Sequence, residues 1–105
     1  MADRRDDRLL EPRELESLRA EIDALDLEIV GLLNRRATLG LAAGRAKTRS
    51  GRPLIDAERE RDVLVRISRA NEGPFPQEDL LALYLQLIET IKHLEATQNS
   101  RSSTD

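Results

Sequence analysis

One stripe of apolar residues constrains this chain more than any other feature: Leu15, Leu18, Ile22, Leu25, Ile29 and Leu32, then Leu39, Ala43 and Ala46. Alternating steps of three and four put all of them along one side of a single helix, so the pattern predicts an unbroken helix from Pro12 to Lys47, with Arg36 as the only interruption of the stripe. Such a helix, about 36 residues at 1.5 Å each, would be roughly 54 Å long, whereas a compact domain of about 100 residues has a radius of gyration near 13 Å. The remainder of a 105-residue chain is too short to cover that stripe. A second copy of the chain is the natural cover, as an intertwined two-fold dimer in which the same face packs on itself. A single amphipathic helix folding back as the arm of a bundle is the alternative that the pattern leaves open.

Pro12 suits a first helical position, where its missing N–H costs nothing, and Glu14 and Glu16 suit the positive end of the helix dipole. At the other end Ser50, Gly51, Arg52 and Pro53 supply a left-handed stop followed by a proline. Asp56 is placed to cap a short second helix over 57–70, with Val63, Leu64 and Ile67 on its apolar side. The stretch 71–76 holds Gly73, Pro74 and Pro76, which breaks that helix. A third helix then runs from Pro76 to about Ala96, with Leu80, Leu81, Tyr84, Leu87, Ile88, Ile91 and Leu94 as its apolar face. No strand pattern or repeat is present, so the fold class is all-α with one long, one short and one medium helix. The charged lead-in 1–10 and the Ser/Thr/Asn-rich tail 98–105 are expected to be disordered and to flank a helical domain at 11–97.

Composition narrows the chemistry. There is no cysteine and a single histidine, His93, which removes disulfides, thiolate catalysis, His-based triads and Cys or His metal clusters; no metal or cofactor is expected. A net charge of -3 and 2% aromatic content leave neither the basic field nor the stacking platform of a nucleic-acid binder. No leader-like apolar segment or membrane-length apolar run occurs, so the chain is expected to be soluble and cytoplasmic.

Three groups of residues could carry function. Arg19, Arg35, Arg36, Arg45 and Lys47 put many cations near the apolar stripe of the long helix. Arg19 and Arg35 are sixteen residues apart, roughly 24 Å along one helix. In an antiparallel pair, Arg19 of one chain instead arrives beside Arg35 and Lys47 of the other, and two guanidinium groups with an ammonium suit a small dicarboxylate. The plainer reading is a set of solvated helix charges paired with neighbouring acids. Asp56, Arg59 and Glu60 share one side of the second helix, where Glu60 could accept a substrate hydroxyl or the three could form a capped helix start with an internal ion pair. Glu95 falls four residues after Ile91 beside the apolar face of the third helix. It sits either at a wet margin or buried with a raised pKa, able to donate a proton. His93 is expected at the surface on a different face.

In order and spacing these blocks resemble the all-helical AroQ-class chorismate mutases. Leu18-Arg19-Ala20-Glu21-Ile22-Asp23-Ala24-Leu25-Asp26 is similar to their opening signature, and Asn34-Arg35-Arg36 to the second arginine block. Gly44-Arg45-Ala46-Lys47 and the stretch from Arg52 to Glu60 follow in register, so the likeness covers roughly Leu15 to Glu95. It implies an intertwined homodimer with two sites, each built mainly from one chain and completed by Arg19 of the other. Arg19 and Arg35 would hold the two carboxylates of chorismate, and Lys47 would contact the ether oxygen and a carboxylate. Asp56, through its backbone, and Glu60 would orient the ring hydroxyl with Arg59 in support, and Glu95 would face the ether oxygen. Ile91 stands where the family often has Ser, so one auxiliary polar contact is missing.

The implied reaction, chorismate to prephenate, is a unimolecular pericyclic step that needs a compact conformer and stabilisation of the ether oxygen as its bond lengthens, not a nucleophile or a metal. Glu95 could donate to that oxygen only while protonated. Two alternatives remain in view. Isochorismate pyruvate lyase shares the fold and the clamp, though lyase-type relatives generally lack a carboxylate at Glu60; a helical dimerisation module, or a domain tuned by docking to another shikimate-pathway enzyme, would need no complete site.

Overall fold

The computed structural model describes the backbone of residues 4–104 and the side chains of residues 12–98. Three helices account for nearly all of it: α1 (Arg4–Arg49), α2 (Ala57–Ala70) and α3 (Gln77–Thr104). Among the described residues there is no strand, and no helix is long and apolar enough to cross a membrane. The expected all-α architecture of one long, one short and one medium helix is therefore the one found.

Two helix ends lie beyond their sequence-derived limits. Pro12 falls inside α1 rather than at its start. A proline removes its own N–H and disturbs the carbonyl four residues back, but leaves the bonds on either side in register, so the helix continues upstream of it to Arg4. At the other end α3 passes Ala96 and runs to Thr104. Polar residues there do not compete with the helix: the Thr97 hydroxyl donates to the His93 carbonyl at 2.9 Å, within the same helical register. Of the lead-in and tail expected to be disordered, residues 1–3 and 105 and the side chains of 4–11 and 99–104 lie outside the described residues.

The chain divides into two compact units, residues 1–36 and 37–105. The first is the amino-terminal length of α1, and its apolar stripe is open: Leu15, Leu18, Ile22, Leu25, Ile29 and Leu32 are 45–59% exposed. Leu27 and Val30, off that stripe, are exposed as well.

The second unit contains the end of α1, α2 and α3. Its apolar centre is small, with Ile88 and Ile91 as its buried hydrophobic residues and the half-buried Val63, Leu64, Ile67, Leu80, Leu81, Tyr84 and Leu87 around them. Gly51, at φ +75°, stops α1: its N–H donates to the Thr48 carbonyl and the Arg52 N–H to the Lys47 carbonyl at 2.8 Å. These are the paired bonds of a glycine-terminated helix end. Asp56 caps α2 by accepting from the Arg59 N–H at 3.0 Å. The turn into α3 is tied by Asn71, whose side-chain amide donates to the Phe75 carbonyl and to Gln77 while its oxygen accepts from the Gly73 N–H.

Candidate active site

The end of α1 lies directly against α3. A Cβ on Gly40 would fall 2.6 Å from Ile91 Cγ2, and one on Gly44 would fall 3.2–3.5 Å from the Glu95 side chain. Glycines at these two positions, one helical turn apart, let the helices approach until Glu95 lies over bare backbone. Glu95 is 8% exposed, the buried acid among the described residues, while its neighbour Leu94 is 39% exposed. The expected apolar face of α3 thus turns at its end, with the carboxyl taking the inward position in place of Leu94.

Burial pushes the Glu95 carboxyl above the usual carboxylate range, and the charges of Lys47 and Lys92 pull against that shift without cancelling it. Lys47 is half-buried and held from two directions. Its carbonyl receives the Arg52 N–H of the helix stop, and its ammonium donates to the Leu54 carbonyl at 3.2 Å, so the turn after α1 folds back over it. An ammonium has three donors; the bond to Leu54 fixes its position and leaves donor capacity for a ligand.

Beside Glu95 lies a hollow of about 320 Å³, lined by Leu54, Ile55, Glu89, Lys92, His93, Glu95 and Ala96. That volume falls at the small end of ligand pockets, which run from about 300 to 1,000 Å³. Lys92 in its lining also ties α3 to α2: its Nζ is 2.9 Å from Glu60 Oε1 and 3.1 Å from Glu89 Oε1. The Glu60 and Lys92 side chains are each little more than a quarter exposed, whereas that of Glu89 is 61% exposed.

Of the residues singled out from sequence, Lys47 and Glu60 are half-buried and Glu95 is buried, all three in the second unit. Asp56 and Arg59 are exposed at the start of α2, where Asp56 serves as cap and Glu60 pairs across to α3 rather than within its own helix. Arg19 and Arg35 are exposed residues of the first unit. His93 is exposed, as expected, yet it also lines the hollow.

Sequence reasoning passes over Lys92 and Gly40. Lys92 lies four residues after Ile88 and three before Glu95, so a charge on the inward side of an otherwise apolar helix is the available signal. For Gly40 the signal is its four-residue spacing from Gly44 inside a helix where glycine is unfavourable.

The profile of the family described as chorismate mutase type II matches residues 18–96. A bifunctional chorismate mutase/prephenate dehydratase from Aquifex aeolicus is 42% identical over 86 residues, covering 78% of this chain and 24% of that protein. The chain thus spans about a quarter of the length of that relative. An intracellular chorismate mutase of Mycobacterium tuberculosis is 42% identical over 74 residues, covering 70% of this chain and 68% of the relative. Among solved structures, a chorismate mutase (Form II) from Thermus thermophilus superposes with a TM-score of 0.77 at 34% identity, over 81% of this chain and 97% of that one.

Proposed function

The chain belongs to the chorismate mutase type II family, and from that premise we propose that it is an isomerase converting chorismate to prephenate, a step toward phenylalanine and tyrosine. The observation that carries the proposal is the placing, inside the matched stretch, of a buried carboxyl whose pKa burial raises near a tethered ammonium: Glu95 and Lys47. Together they are a hydrogen-bond donor and a cation, the two stabilisers that a breaking ether bond requires. No covalent step is asked of the protein. The enolpyruvyl side chain swings over the ring, the C–O bond breaks as the new C–C bond forms, and the electrons move within one molecule.

Arg19 and Arg35 are the carboxylate clamps, which select the compact diaxial conformer. Lys47 contacts the ether oxygen and one carboxylate, and the protonated Glu95 carboxyl donates its O–H to the same ether oxygen. Asp56, through its backbone, and Glu60 take the ring hydroxyl, with Arg59 in support. No cofactor enters this scheme.

The functional unit is a homodimer, in which Arg19 of each chain completes the site of the other. The half-exposed leucines and isoleucines of 15–32 support this, because an apolar stripe of that length left in water is unfavourable and a second copy offers its own matching stripe. The matched residues 18–96 support a domain at 11–97 with the flanks outside it. A cytoplasmic location goes with the reading, as does docking to another enzyme of the same pathway: some relatives are named as a mutase joined to a prephenate dehydratase.

The test is direct. Purified protein is mixed with chorismate, the loss of its ultraviolet absorbance is followed, and acidification then converts prephenate to phenylpyruvate for detection. Absorbance loss with phenylpyruvate is the expected result. Release of pyruvate with salicylate from isochorismate, and no reaction with chorismate, would replace the mutase by a lyase, and no turnover of either would leave a helical association module.

A further inference from the structure

We propose that Lys92 is a positioning residue of this site, holding the Glu60 carboxylate in place as the acceptor for the substrate's ring hydroxyl and keeping the hollow acceptable to an anion. The inference rests on the mutase reading and adds to it a residue on α3 that the clamp described above does not use.

Three observations carry it. Lys92 lines the same hollow as Glu95 and lies one helical turn before it. Its ammonium is within 2.9 Å of Glu60 and 3.1 Å of Glu89, so it is shared by two acids from two helices. Those acids are not equal: Glu89 is open enough to be solvated by water, whereas Glu60 is mostly covered and depends on its partner. The pair that matters is therefore Glu60 with Lys92.

The charges around the hollow make the second half of the case. Glu89, Glu95, Lys92 and His93 line it; Glu60 of α2 joins through its ion pair with Lys92, and Lys47 of α1 acts on it through the Glu95 carboxyl. Without Lys92, the mostly covered Glu60 carboxylate would have no cation beside it, and the wall of the hollow would carry acids alone besides His93, a poor receptor for a dicarboxylate. With it, Glu60 has its cationic partner, the exposed Glu89 is left to water, and Lys47 is left for the substrate. The hydrogen bonds to Glu60 and then Glu89 in turn hold the Lys92 ammonium above its ordinary pKa.

The test uses the full chain with Lys92→Met, Lys92→Arg, Glu60→Gln and the double variant Lys92→Met/Glu60→Gln, each checked for helicity, with kcat and KM measured on chorismate across pH. Lys92→Met should lose roughly tenfold or more in kcat/KM, the scale of a lost charge-assisted contact, and Lys92→Arg should recover most of it. The double variant should be no worse than Glu60→Gln alone, because the lysine acts through the glutamate. The alkaline limb set by Glu95 should move to higher pH in Lys92→Met, since one of the two cations opposing protonation is gone. Full activity of Lys92→Met, or losses that multiply in the double variant, would overturn the role while leaving the mutase reading standing. Wild-type protein that does not turn over chorismate would overturn the reading itself, and the role with it.

Discussion

Gly40 is where the geometry makes its sharpest demand. A methyl group there would stand 2.6 Å from Ile91 Cγ2, well inside van der Waals contact, and 3.5 Å from Glu95 Oε1, an ordinary separation. Ile91 has no easy way to yield, because it is 4% exposed and a β-branched side chain in a helix holds one rotamer strongly. Gly40→Ala must then move one helix relative to the other, an overpacking cost of about 1–3 kcal/mol. Against this stands the better helix propensity of alanine, about 0.8–1.0 kcal/mol, so the net change is a loss of roughly 0–2 kcal/mol. In an Ile91→Ala background the clashing methyl is absent and only the propensity gain remains, so the same substitution should stabilise by up to about 1 kcal/mol. The sign change is the prediction. Urea denaturation of the four proteins at one total concentration, followed by helicity, gives the coupling from the midpoints if the slopes agree. Gly40→Ala that stabilises equally in both backgrounds would show that α1 and α3 do not meet at this distance.

Three further expectations follow from Glu95 and from the open stripe. Glu95→Gln, which donates at every pH, should keep most of the activity and flatten the fall in rate expected of wild type as pH rises through the raised Glu95 pKa; an unchanged profile would reject the proton-donor role. The same variant tests stability with the opposite sign from a salt-bridged acid. A carboxyl whose folded pKa lies above its unfolded value keeps its proton better in the folded state, so stability falls as pH rises from the ordinary carboxylate range through the raised value, and above that range Glu95→Gln should be no less stable than wild type. On the stripe, Leu25→Glu puts a charge where a second copy is expected to pack, and sedimentation should show a dimer converted to monomer; a wild-type monomer, or a dimer that survives the charge, would remove the stripe as the interface.

Much of the architecture is legible in the sequence because local signals agree. Gly51 ends α1 as the Ser-Gly-Arg-Pro run implies, Asp56 caps α2, and the Asn71–Pro76 turn separates α2 from α3. The helix extensions are not legible, since Pro12 and the polar run after Ala96 carry stop signals that are weak in themselves and that a helix already under way can pass. At the site, the sequence leaves the Glu95 carboxyl open between two readings, because its burial depends on a glycine surface supplied by a helix some fifty residues earlier in the chain. Periodicity within α3 cannot see that surface. For the same reason it places Leu94 inward and gives Lys92 no partner, only a charge at an inward spacing: both positions are decided by what α1 and α2 present to α3.

The central claim, that two chains share each site, is tested most directly by complementation. Arg19→Ala and Lys47→Ala proteins, each prepared alone, should be nearly inactive. Unfolded together and refolded as an equal mixture, they should form mixed dimers in which one site has an intact Lys47 from one chain and an intact Arg19 from the other. With random pairing, half of the dimers are mixed and each has one intact site of two, so about a quarter of the wild-type activity should return. Recovery near that level is the predicted result; two proteins that refold and dimerise yet regain no activity on mixing would contradict the account.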